Sequence, residues 1–392
     1  RGRHAGGQAV IAGPCMTPRR PVGTSARRAA RLATVAGCLV ALAAGLATLS
    51  GCSRQPPRFV PPWVDSTAAA AADSFAVLVG EARDQWESQG GANAAPMTAR
   101  LLLDDLRRHP DRPLAERSRT FLDSCGFSAE VAGGGSVAAV NFFARSDPAG
   151  GAWPYLIWRE EQAVRDQVLE GSGMRLLDLT ARGGTTDGAA GDDGAEPAQV
   201  AAIFGRTGPR GQQPVVIVWR RPPGAAAWSL AQTLGADSLG GVGVAEFVPR
   251  PDGGPGLEAR TYRSTPGFDE CATCPHIYRT LRFDWAPTGF AKVSEEAAAS
   301  PYYSFVQLIT ALSVSDREMA LRFLADPSLI DAARGYDWGR SKGLWRVAPG
   351  TGESAEEMTF FRGTREAYKV RFALRGGQWV VTDLQPTQRT VE

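Results

Sequence analysis

The stretch Cys271-Ala272-Thr273-Cys274-Pro275-His276 brings two thiols and an imidazole within six positions of one another. Cysteines three apart can serve as a redox pair, half of a zinc site, a haem anchor or a short disulfide. Haem attachment needs the histidine directly after the second cysteine, and Pro275 intervenes. Dithiol redox chemistry places the pair at a helix N-terminus, where the thiol pKa falls. Here Ile277 to Phe283 alternates as a strand does. Zinc takes four ligands; Cys271, Cys274 and His276 supply three, and Cys125 would have to be the fourth. In an oxidising compartment the pair reads as a disulfide that stiffens the start of a strand. Cys271 and Cys274 are therefore expected to be joined, with no metal ligand and no cofactor assigned.

Hydrolytic chemistry finds little support. The chain has three histidines, His4, His109 and His276. Gly134-Gly135-Ser136-Val137-Ala138 fails the nucleophile-elbow pattern at its last position, and no HExxH, SxxK or P-loop occurs. The carboxylate pairs Asp104-Asp105 and Glu160-Glu161 are expected to be solvated. Asp187, Asp192, Asp193 and Glu196 lack EF-hand spacing. No catalytic residue is assigned, and enzymatic activity is not favoured.

The elements that position these residues change texture along the chain. Phe75, Leu78, Val79, Ala82 and Trp86 recur at helical spacing. Further short helices are expected over Thr98–Arg108 and Leu114–Cys125, the latter stopped by Gly126. From Ser136, ten short apolar runs separated by Gly/Pro turns predict strands, the last at Phe290–Val293. Their spacing points to an antiparallel sandwich, a barrel or a propeller-like array. Gly183 to Pro197, rich in Gly, Ala and Asp, reads as a disordered loop.

The N-terminal end carries a different message. Arg19, Arg20, Arg27, Arg28 and Arg31 precede an uncharged run, Leu32 to Leu49, and no acidic residue occurs before position 52. Basic flank, apolar run and small residues are the parts of an export signal. Leu49-Ser50-Gly51-Cys52 then resembles the cleavage box of bacterial lipoproteins, which implies that Cys52 receives the lipid. Residues 1–51 are thus read as an upstream extension (Arg1 to Cys15, ahead of Met16) plus signal peptide. Residues 52–65, with four prolines between Ser53 and Pro62, form a lipidated, extended tether. The implied location is extracytoplasmic, on the membrane of the cell envelope, and on the outer membrane where the cell has one. The signal removes seven arginines and no acid, so the remaining chain carries 36 basic and 41 acidic residues, a net charge of −5. That balance argues against nucleic acid as a partner.

After Ser300 the pattern is three helices followed by four strands: Ser300-Pro301 starts the first helix, Ser315-Asp316-Arg317-Glu318 caps the second, and Asp326-Pro327 opens the third. Strands follow at Leu344–Val347, Glu357–Arg362, Ala367–Leu374 and Trp379–Leu384. This order resembles the NTF2-like fold, a curled sheet closed by helices. The resemblance implies a cone in which Tyr302, Trp345, Tyr368, Phe372 and Trp379 could line a small-molecule pocket or simply fill the core. The expected fold class is α+β: a helical preface and β-rich domain over 66–298, then an NTF2-like domain over 299–392. The expected function is non-catalytic binding or scaffolding in the envelope, with the membrane and an envelope protein as partners. The alternatives are a small-molecule-binding or enzymatic NTF2-like domain, and a thiol-based factor using the two cysteines.

Overall fold

A computed structural model describes residues 66–88, 91–170, 173–183, 197–251, 254–349 and 351–388. Cys52, its tether, the signal segment and nearly all of the Gly/Ala/Asp stretch lie outside the described residues. Within them stand seven helices and sixteen strands in four antiparallel sheets, a β-rich α+β fold.

Three helices come first: α1 (Ser66–Ser88), α2 (Gly91–Arg108) and α3 (Leu114–Cys125). Gly126 caps α3 in the left-handed region, φ 71°, as its sequence position requires. The next twelve strands fall into three four-stranded meanders. The first holds β1 (Ala129–Gly133), β2 (Val137–Ala144), β3 (Asp147–Glu160) and β4 (Ala163–Val168). The second holds β5 (Arg175–Gly183), β6 (Pro197–Gly208), β7 (Gly211–Arg220) and β8 (Ser229–Leu234), after which a single turn, α4 (Ala236–Leu239), leads on. The third holds β9 (Val242–Pro249), β10 (Pro255–Tyr262), β11 (Arg279–Ala286) and β12 (Gly289–Ala297).

Side-chain alternation explains how the meanders stack. Successive residues of a strand face opposite ways, and in the central strands both phases are apolar. Ala138, Val140 and Phe142 of β2 meet Leu102, Leu106 and Phe121 of the helices, while Val137 and Ala139 face the second sheet. In β6, Val200, Ala202 and Phe204 face the first sheet, and Ala201 and Ile203 face the third. The third sheet ends the stack with an outer face bearing charge: Arg282 donates to Glu258 across β10 and β11 at 2.9 Å. The stack has three sheets, one more than a sandwich.

The last part contains α5 (Pro301–Ser313), α6 (Arg317–Leu321), α7 (Leu329–Gly335) and the sheet β13 (Trp345–Val347), β14 (Glu357–Arg362), β15 (Glu366–Arg375) and β16 (Gln378–Pro386). Ser300 caps α5 by accepting from Tyr303 N at 3.0 Å. The cap of α6 is a correction: Asp316, not Ser315, accepts from Met319 N, and Ser315 takes a left-handed φ of 59°. Helix α7 begins at Leu329, two residues after Asp326-Pro327, because Asp326 accepts from Ser328 N in a turn. Gly376 and Gly377 both have positive φ and form the two-residue turn of the β15–β16 hairpin. A register shift at Arg371/Phe372 bends that hairpin.

Two buried ion pairs hold elements together. Asp105, expected in solvent, is buried on the inner face of α2 and accepts two bonds of 2.6 Å from Arg117 of α3. Arg362 of β14 is 2 % exposed; it donates to the carbonyls of Tyr336 and Asp337, both at 2.7 Å, and to Glu366.

Burial on both faces of β6 makes a direct prediction. Ile203→Ala and Phe204→Ala, adjacent in sequence and opposite in direction, should each cost about 3 kcal/mol or more in urea unfolding. A single-faced sheet would give a large loss for one of the two only.

Candidate functional site

The loop between β10 and β11 gathers the reactive residues. Cys271 and Cys274 are joined in a disulfide, with a turn closed by Cys274 N donating to Cys271 O at 3.1 Å. Cys271 is exposed and Cys274 buried. The pair sits in a turn before a strand, as the alternation after it required, so neither thiol is available to a metal. Among the described residues no group of three His, Cys, Asp or Glu side chains could hold a metal ion.

Glu270 and His276 flank the disulfide and point inward. The phenol of Tyr302, on the first turn of α5, donates to Glu270 Oε1 at 2.8 Å. His276 Nδ1 stands 3.4 Å from Glu270 Oε2, a weak contact at that length. The other face of the imidazole stacks on Tyr262, ring centres 3.6 Å apart. Burial works against the Glu270 carboxylate, yet hydrogen bonds from His276, Tyr302 and Thr265 outweigh it and hold the carboxyl below its usual range. Burial, reinforced by that carboxylate, pushes the Tyr302 phenol far up, so it remains a donor. Carboxylate, imidazole and phenol are the parts of an acid–base site. Here they are sealed: the side chains of Glu270 and His276 are 2 % and 4 % exposed. They work as a buried latch between the third sheet's loop and α5. Backbone pairing extends it, with Asp269 N donating to Trp345 O at 2.8 Å and Trp345 N to Gly267 O at 3.0 Å.

The aromatic set named from sequence is found in the C-terminal core. Tyr302, Trp345, Tyr368 and Phe372 are buried together with Phe305, Trp338 and Phe360. Phe305 stacks on Phe360 with centres 3.6 Å apart, and Trp338 meets the edges of Trp345 and Tyr368. Trp379 is half-buried at the margin, where its carbonyl accepts from Ser304 Oγ at 2.6 Å. Tyr368 is tied down by donating to Glu366 at 2.9 Å and accepting from Arg362 at 3.3 Å. These rings pack against one another through the interior of the module.

Open space lies elsewhere, in a cleft of about 570 Å³ between α4, the Arg263–Pro266 segment, β11, β12 and α5. Arg263, Arg279 and Lys292 contribute cations to its wall, and Asp237 and Glu295 contribute carboxylates. Glu295 accepts from Arg279 at 2.6 Å and from Lys292 at 2.9 Å, and those two bonds hold its carboxyl below the ordinary range. Arg263 is fixed by donating to the carbonyls of Ala236 and Asp237. Ile277, Leu281 and Val306 supply an apolar floor. Sequence reasoning missed this cleft, because each of its charges taken alone looks like an ordinary solvated side chain.

Cys125 is free and buried among the N-terminal helices. No helix among the described residues is long and apolar enough to cross a membrane. Comparison of the chain with protein-family models, with curated proteins and with solved structures found no match.

Two outcomes are expected. The depressed Glu270 carboxyl contributes stability that is present above the ordinary carboxyl range and is lost as pH falls through its lowered value. The stability advantage of the wild type over Glu270→Gln in urea titrations should therefore shrink steadily below about pH 4.5; a constant difference down to pH 3 would exclude the ionised latch. In peptide mapping without reductant, Cys271 and Cys274 should appear linked, and Cys125 should alkylate only after unfolding. Two free thiols at Cys271 and Cys274 in exported protein would contradict the pairing.

Proposed function

We propose that this chain is a lipid-anchored protein of the extracytoplasmic cell envelope, with a folded part that binds or scaffolds and does not catalyse. The observation that carries the reading is the order of Arg27, Arg28 and Arg31, the uncharged run Leu32 to Leu49, and Leu49-Ser50-Gly51-Cys52. Lipid on Cys52 makes the membrane the first partner, and an envelope protein is the second. The Cys271–Cys274 disulfide supports an oxidising location. The net charge of −5 after processing speaks against nucleic acid.

We read the segment from Ser300 to Pro386 as an NTF2-like module. Its support is the order of three helices and a four-stranded meander, the bend at Arg371/Phe372, and the packing of α5 and α7 against β16. A core filled by stacked rings favours a scaffolding use of that module over a ligand inside it. Sealing of Glu270 and His276 favours a non-catalytic role, since a general acid or base must reach the substrate within hydrogen-bond distance.

Metabolic labelling with a palmitate analogue tests the anchor. The wild type should take up label and fractionate with membranes, and Cys52→Ala should lose the label and accumulate as uncleaved precursor. Wild-type protein that is unlabelled and free in the cytosol would overturn the reading.

A further inference from the structure

We propose that the cleft between the third sheet and α5 binds a short peptide with a free carboxylate. The inference does not depend on Cys52 or on where the protein resides.

Size and place come first. A recess of about 570 Å³ falls in the range of small-ligand sites, which favour junctions between structural units. Its walls come from five separate segments, and the Glu270–Tyr302 latch and the Phe268–Trp345 bridge set their spacing. Buried contacts thus tie α5 and the β10–β11 loop together beside the cleft.

Charge comes next. The cleft wall carries an excess of positive charge, three cations to two carboxylates. Arg279 and Lys292 lie on neighbouring strands, and both hold Glu295, which fixes their heads before any ligand arrives. Prefixed donors lose less side-chain freedom on binding an anion. A planar guanidinium beside an ammonium suits a carboxylate. Asp237, on the α4 wall, offers the complementary charge to an ammonium group, so both ends of a zwitterion find partners.

The remaining lining narrows the class. Gln307 of α5 presents an amide, which can both donate to and accept from a peptide group. Ile277, Leu281 and Val306 match short aliphatic side chains. No aromatic ring lines the cleft among the described residues. A platform for stacking a sugar ring or a nucleobase is missing from its walls, whereas a small peptide needs none.

Calorimetric titration of the full-length, exported protein with the dipeptide Ala-Glu tests the proposal. Acetyl-Ala-Gln-amide, which lacks every charge, and inorganic phosphate serve as comparison probes. Ala-Glu should bind at least about tenfold more tightly than the blocked peptide, and Arg279→Gln or Lys292→Gln should each weaken it by about tenfold. Added salt should weaken it further. Both substituted side chains are half exposed, 56 % and 50 %, so thermal melting should stay at the wild-type value; whichever variant melts normally is the one scored. No heat with Ala-Glu at millimolar concentration overturns the proposal. So does equal binding of the blocked peptide, affinity unchanged in a normally melting variant, or phosphate binding as tightly as the dipeptide.

Discussion

A strand with apolar side chains in both phases cannot leave either face in water, and this constraint organises most of the molecule. β2 and β6 are such strands. The first sheet therefore needs a cover on each side and obtains the helices on one and the second sheet on the other. The second sheet repeats the demand and receives the third. Termination requires a sheet with one polar face, which the third supplies through Glu258 and Arg282. Chain order and spatial order coincide in this stack, so each layer meets its cover from the next stretch of sequence. Contacts of that kind carry a small loop-closure cost.

The junction with the C-terminal module obeys a second constraint. Taking a carboxylate out of water costs several kcal/mol unless its lone pairs are satisfied. Glu270 is tolerated because Tyr302, His276 and Thr265 converge on it, and convergence requires α5 and the β10–β11 loop to keep one mutual position. The disulfide restricts the same loop. Arg362 does the corresponding task inside the module, fastening β14 to the segment after α7 through the carbonyls of Tyr336 and Asp337 and to the start of β15 through Glu366. Buried polar groups thus fix the angle that leaves the cleft open, while apolar packing supplies the bulk of the stability.

Much of the fold was legible because burial writes itself into periodicity. Short apolar runs bounded by Gly/Pro turns marked strands, though not which of them are covered on both faces, and the capping residues after Ser300 marked the C-terminal helices. β1 and β4 escaped notice since they bury few side chains; in β4 only Val164 is buried. Helix α1 begins nine residues before Phe75, the first residue of its apolar spacing, and α2 begins seven before Thr98, in Ala-rich sequence that propagates a helix without displaying a face. Asp105 could not be told from Asp104 by type, and the partner that buries it, Arg117, lies on another helix. Tyr302, Trp345, Tyr368 and Phe372 show the limit for sites: the same rings line pockets and fill cores, and their neighbours decide which. The cleft was invisible for a related reason, since its charges are scattered from Asp237 to Glu295 in sequence and meet only once the sheet and α5 are docked.

The two polar clusters are poorly disposed to supply a general base. A general base works best with a pKa near the operating pH and must reach its proton. Glu270 fails on access and on pKa, being sealed and held low. Glu295 has access, but Arg279 and Lys292 move its carboxyl further from neutrality and occupy both its oxygens. A carboxylate so engaged is a poor proton acceptor and a good organiser of cations. Glu295 therefore organises the cations beside it, and Glu270, His276 and Tyr302 are committed to holding the fold.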